Sequence, residues 1–202
     1  MNRLSLEDRA RILSCLVEGK SMRAATRMTG KSINTVTKLL VDVGIACAKY
    51  QHQTLRNLPC KRVQCDEIWS FCGMKQKNVP QVQKGIYGIG DVWTWTAICA
   101  DTKLMPSWFI GSRDSEAAMI FMDDLAKRLA GRVQLTSDGH RPYVQAVEGA
   151  FGGDIDYAVL VKIYGPSASE GSRRYSPAEC IGTVKNRIEG NPDPSHVSTT
   201  RG

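Results

Sequence analysis

The stretch CKRVQCDEIWSFCGMK, residues 60–75, decides the reading of the fold. Within it Val63, Cys65, Trp69 and Phe71 alternate with Gln64, Asp66, Ile68, Ser70 and Cys72, a pattern that predicts a β-strand. A carboxylate inside so apolar and aromatic a strand is costly to bury unpaired, so Asp66 needs a reason to be there. Strand side chains alternate, so Glu67 points to the opposite face from Asp66, and only one of the two is expected to face a site.

Working towards the C-terminus, Met74 to Gln83 reads as a polar turn and Tyr87 to Ala100 as a second strand. An Asp101-Thr102-Lys103 turn leads to a third, Leu104 to Ile110. Ser115 is the expected N-cap of a helix whose apolar side is Ala117, Ala118, Ile120, Phe121, Leu125 and Leu129, closed by Gly131. Val133, Leu135 and Thr136 form a short fourth strand running into Ser137-Asp138-Gly139. Pro142 to Ala150 is helical and Tyr157 to Tyr164 a fifth strand. Strand, strand, strand, helix, strand, helix, strand is the order of an α/β ribonuclease-H-like domain with a five-stranded mixed sheet, placed at residues 63–164. Residues 165–202 are rich in Gly, Ser and Pro and read as a loop or disordered tail.

Towards the N-terminus the apolar spacing becomes helical. Leu6, Ala10, Ile12, Leu13, Leu16 and Val17 follow Ser5 and end at Gly19; Met22, Ala24, Ala25 and Met28 follow Ser21 and end at Gly30. Ile33, Val36, Leu39, Leu40 and Val43 follow Ser32 and end at Gly44. Three helices with a tight glycine turn before the last form a helix-turn-helix pattern, a small all-α domain over residues 1–45. The third helix presents Asn34, Thr35 and Lys38 for base edges and phosphates, with Arg23, Arg27 and Lys31 placed for backbone contacts. Residues 46–62 read as a basic linker.

Charge supports this division. Residues 1–62 hold twelve Lys and Arg against four acids, +12 − 4 = +8, while residues 63–202 hold fifteen against sixteen, +15 − 16 = −1. The N-terminal part therefore attracts polyanions, and double-stranded DNA is the expected partner. No run approaches the roughly 18 apolar residues of a membrane span, and the N-terminus lacks a signal-peptide pattern. A cytoplasmic protein is the expectation. The seven cysteines are odd in number and loosely spaced, which disfavours a disulfide framework. A zinc site from His52, Cys60, Cys65 and Cys72 is disfavoured by the lack of a C-x-x-C pair. No glycine-rich phosphate loop is present.

Cutting and joining phosphodiesters calls for converging carboxylates that hold divalent ions. If the first and fourth strands are neighbours, Asp66 and Asp138 meet at their ends, and both are expected to bind Mg²⁺ or Mn²⁺. Residues 60–75, with an Asp-Glu pair followed by Trp-Ser-Phe, resemble the first catalytic block of DDE transposases of the insertion sequence 1 family. TSDGHRPY at 136–143 is similar to the second block, and RIEGNPDPSHVST at 187–199 to the stretch leading into the third. The resemblance covers nearly the whole chain. It implies a bacterial transposase, an enzyme of DNA transposition and recombination that assembles as a homo-oligomer on element ends and target DNA, with Asp66 and Asp138 as catalytic positions.

In the family the third block continues into a Val-Glu-Arg-Gln-Asn-like sequence whose Glu completes the triad. Here Thr199 is followed by Thr200-Arg201-Gly202, and Glu170, Glu179 and Glu189 all precede the expected place. A chain truncated before its third carboxylate, inactive alone, is the resulting expectation. The alternatives are a non-catalytic DNA-binding protein that occupies element ends and inhibits an intact transposase, and a plain ribonuclease-H-like nuclease. The latter is disfavoured because such enzymes need no helix-turn-helix.

Overall fold

The computed structural model describes residues 4–86, 88–165 and 180–199, and the chain divides into two compact units, Met1–Leu55 and Arg56–Gly202. The first contains helices α1 (Leu6–Val17), α2 (Met22–Thr29) and α3 (Ile33–Thr54). Each starts at the serine expected to cap it: the Ser5, Ser21 and Ser32 hydroxyls accept from the amides of Asp8, Ala24 and Thr35 at 3.0, 3.2 and 3.2 Å. Such a cap stabilises a helix by about 1 kcal/mol. Gly30 closes α2 in the left-handed region, with φ 69°. Ile12, Ala25, Val36 and Leu39 form a small core, flanked by Leu13, Leu16 and Val43.

One boundary differs from expectation. Helix α3 passes through Gly44 and continues to Thr54, so most of the stretch read as a linker is helical and the unit boundary falls after Leu55. An interior glycine costs a helix only about 1 kcal/mol, and Ile45–Thr54 contains no proline to enforce a stop.

The second unit is built on a six-stranded sheet in the order β3-β2-β1-β4-β5-β6. The strands are β1 (Arg62–Cys72), β2 (Gly90–Cys99), β3 (Ser107–Gly111), β4 (Gln134–Ser137), β5 (Asp156–Tyr164) and β6 (Cys180–Glu189). Strands β1, β2 and β3 pair antiparallel, β4 and β5 run parallel to β1, and β6 returns antiparallel to β5. The order of the first five is compatible with a ribonuclease-H-like fold, and β1 and β4 are neighbours as expected. Between β1 and β2, Gln76–Asn78 and Gln81–Gln83 form short 3₁₀ turns. Helices α4 (Ser115–Ala126) and α5 (Pro142–Phe151) share the main core with the sheet, where Cys65, Trp95, Leu135 and Tyr157 meet Phe121, Leu125 and Tyr143. The cap of α4 is Asp114 rather than Ser115: its carboxylate accepts the Ala117 amide at 2.9 Å, a bond stronger than a hydroxyl supplies. No helix among the described residues is long and apolar enough to cross a membrane.

The largest departure lies in the segment read as a tail. Cys180–Glu189 is a sixth strand, and residues 191–199 return across the sheet face opposite the helices. There Gln64 Nε2 donates to Ser198 Oγ at 2.6 Å, Gln134 exchanges hydrogen bonds with the Asp193 backbone, and Val197 is buried with Ala158 and Leu160. Strand β6 is exposed along almost its whole length, so backbone pairing holds it and its side chains need no alternation. The remainder of that segment, residues 166–179 and 200–202, with Glu170 and Glu179, lies outside the described residues.

Candidate active site

Strand lengths create the site. Pairing between β1 and β4 covers only Arg62 to Gln64 against Gln134 to Thr136. Beyond Gln64, β1 continues to Cys72 with β2 alone on one side, while β4 stops at Ser137. The gap left by the short strand opens a cleft of about 1210 Å³, lined by Asp66, Glu67, Arg113, Asp138, His140 and Thr199 among others. The two sequence-predicted metal ligands, Asp66 and Asp138, thus lie on one cleft. A site of this kind, outside the carboxyl end of a strand such as β4, is a common place for ligands in open α/β sheets.

Both acids of the Asp-Glu pair line this cleft, against the expectation that only one would. Where the neighbouring strand has ended, space is open to both faces of β1. Asp66 stands opposite Thr96 of β2, and its Oδ1 accepts the Glu67 amide at 2.9 Å. Asp138 Oδ1 accepts the His140 amide at 2.9 Å, which fixes the turn after β4. The side chain of Glu67 is only 1% exposed and is held by Arg113, whose Nε donates to its Oε2 at 3.0 Å and whose Nη2 lies 3.0 Å from the same oxygen. The same Nη2 lies 3.6 Å from Asp138 Oδ2, so one guanidinium spans two carboxylates. Arg113 also lies over the Trp93 ring, 4.7 Å from its centroid.

Burial pushes the Glu67 carboxyl above its ordinary value, with repulsion from Asp138 adding to the rise and Tyr143 and Arg113 opposing it. Burial likewise raises Tyr143 well above the usual phenol range. His140 is lowered by burial and by the charge of Arg113, and the neutral imidazole is favoured. Polar atoms here are poorly satisfied. Among the described residues five buried side-chain polar atoms have no hydrogen-bond partner, and three belong to cleft residues: Glu67 Oε1, His140 Nε2 and Thr199 Oγ1. The Tyr143 ring stands edge-on to His140, and its hydroxyl lies near the Glu67 carboxylate. Unsatisfied buried groups are rare in folded proteins, and their gathering at one cleft marks it as a place built for something else.

Arg113 carries no strand or motif signal, and Tyr143 lies inside the TSDGHRPY stretch without being singled out by it; only the fold brings them to Glu67. Glu189 does not join the cleft. It pairs with Tyr157 at the start of β5, whereas the cleft lies at the other end, near Val161 and Lys162. Among the described residues no group of three or more His, Cys, Asp or Glu side chains could enclose a metal ion. Asp66 and Asp138, with the orphaned Glu67 Oε1, nevertheless supply hard oxygen donors of the kind Mg²⁺ or Mn²⁺ accepts while keeping several waters.

In the helical unit, Arg23, Arg27 and Asn34 are exposed. Lys31 bonds Asp8 of α1 at 2.7 Å, so part of its charge serves the bundle. Lys38 pairs with Asp42 one turn on at 2.8 Å, and the Thr35 hydroxyl meets that of Ser32 at 2.8 Å.

No protein-family model matches the chain, and no curated protein matches it. Among solved structures, a piggyBac transposase in a synaptic complex with hairpin DNA is similar over 87% of this chain, with a TM-score of 0.48 and 12% identity. The chain spans 46% of that transposase, less than half its length. Likeness this slight fixes neither fold nor activity.

Proposed function

We propose that the sheet unit is the catalytic domain of a DDE-type transposase and that the helical unit binds duplex DNA. The observation that carries this reading is that Asp66 and Asp138 both line one cleft, at the point where β4 ends and β1 runs on. It agrees with the resemblance of residues 60–75 and 136–143 to the first two catalytic blocks of the insertion sequence 1 family. On this reading Asp66 and Asp138 hold Mg²⁺ or Mn²⁺. Such an ion, when bound, activates an oxygen nucleophile and stabilises the leaving oxygen of a phosphodiester.

The remaining residues set the field around the reacting phosphate. Arg113 offsets part of the negative charge of Glu67 and Asp138, so a polyanion can approach. The His140 amide orients Asp138, and the neutral imidazole adds no competing cation. Arg23 and Arg27 of α2 would engage duplex DNA at element ends, with Asn34, Thr35 and Lys38 of α3 and with Lys31 shared with Asp8. Acting on two element ends and a target implies a homo-oligomer on chromosomal DNA.

The test is strand cleavage of DNA carrying element ends, with Mn²⁺, by the chain and by Asp66→Asn and Asp138→Asn. Each substitution should lower the rate by about 10²–10³; rates equal to the parent would refute the assignment. A second reading is favoured by one observation: among the described residues no three His, Cys, Asp or Glu side chains are grouped so that they could hold a metal ion. On it the protein occupies element ends without cutting them and inhibits an active transposase. Duplex binding with no cleavage in any metal would support that alternative.

A further inference from the structure

We infer that the exposed end of β1 is a stacking shelf for an unpaired nucleobase of the DNA strand that enters the cleft. Glu67, Trp69 and Phe71 lie on one face of the strand, so the shelf starts next to the carboxylates and runs outward by roughly 7 Å for each pair of residues. Trp69 itself lines the cleft. The rings of Trp69 and Phe71 are 5.7 Å apart and tilted by 38°, and they remain 40% and 45% exposed. Trp69 also stands opposite Trp93 of β2, which widens the aromatic surface across two strands.

Charge selects the occupant. Lys75 Nζ lies 5.0 Å from the Trp69 ring centroid, and Arg113 covers Trp93. Aromatic faces interleaved with cations suit a nucleic-acid strand, whose bases stack on the rings while its phosphates meet the cations. A duplex hides its base faces within its own stack, so the shelf can serve only a base that is unpaired or turned out. An apolar protein surface would gain the rings but bury both cations at a cost. The shelf rests on the reading of the cleft as a DNA-processing site and adds to it a grip on single-stranded DNA beside the reacting phosphate.

The experiment is a fluorescence titration of the full chain with duplex DNA carrying a short single-stranded overhang with 2-aminopurine, against the same duplex with blunt ends. Chelator is present, so metal binding plays no part. The parent should bind the overhang about tenfold more tightly than the blunt end and quench the probe. Trp69→Ala should lose that preference, and Trp69→Phe should retain most of it. Equal overhang preference in Trp69→Ala and the parent would overturn the shelf. Loss of self-association in Trp69→Ala, with overhang preference intact, would overturn it too and assign the face to a second copy. Metal-dependent cleavage is scored separately with Asp66→Asn. Cleavage without a Trp69 effect breaks the shelf alone, and a Trp69 effect without cleavage breaks the catalytic reading alone.

Discussion

The two ends of the central sheet handle their charges in opposite ways. At the end where β1 enters, Asp101 and Asp156 each have a cation. Asp101 is held below its ordinary value by Arg62, and Asp156 by Arg132 with help from the Asn191 amide. At the other end Asp66, Glu67 and Asp138 crowd one cleft with Arg113 as the guanidinium between them, and Glu67 is pushed upward rather than down. The first end spends its charges on tying strands and turns together. The second leaves donors and acceptors unsatisfied around an opening, at a cost to the free protein that a bound polyanion or cation would offset. On the proposed reading, the ties that hold strands together and the groups that serve the site lie at opposite ends of the sheet.

That contrast can be broken most strongly at Arg113. Replacing Arg113 by Ala leaves the Glu67 carboxylate buried beside Asp138 with no counter-charge. We expect a loss of about 2 kcal/mol, less than for a fully buried pair because Arg113 is itself 35% exposed. Thermal unfolding would measure it, and adding Glu67→Gln should recover most of the loss. A single Arg113→Ala that unfolds like the parent would mean that Glu67 is not held by this pair.

A smaller effect is expected at the opposite end. Asp156 accepts from Arg132 Nη2 and Nε at 2.7 and 3.1 Å and from the Asn191 amide at 2.7 Å, joining β5 to the turn after β6. Asp156→Asn should cost about 1 kcal/mol, allowing for solvent screening. The pH dependence follows from the lowered pKa. The folded state binds fewer protons than the unfolded one between the depressed value and the ordinary 3.8. Its stabilisation is thus complete above that ordinary value and fades as pH falls through the depressed one. Denaturant unfolding should show the gap between parent and Asp156→Asn closing in acid. A gap that widened in acid would contradict the pairing.

How much of this was legible follows from which physical signals the sequence carries. Strand β1 announced itself because its buried residues, Val63 and Cys65, alternate with half-exposed or polar ones, and the serine caps of α1, α2 and α3 stand at their expected places. That Asp66 and Asp138 line one cleft follows from the pairing of β1 with β4. Strand β6 could not be anticipated, since an exposed edge strand with shifted register leaves no hydrophobic pattern. Glycine misled at Gly44, where a helix interior looks locally like a helix end. Arg113 and Glu67 were invisible as a pair because they are joined by the fold alone, from the turn after β3 to the middle of β1.

The account stands or falls on whether the cleft carboxylates gather a metal ion while those at the other end do not. Titration calorimetry with Mn²⁺ on the parent, Asp66→Asn, Asp138→Asn and Asp156→Asn measures this directly. Two carboxylates, with Glu67 paired to Arg113, should give weak binding in the parent, at least about tenfold weaker in Asp66→Asn and Asp138→Asn, and unchanged in Asp156→Asn. Binding that is the same in all four proteins, or that is lost in Asp156→Asn instead, would contradict the assignment of the cleft as the catalytic centre.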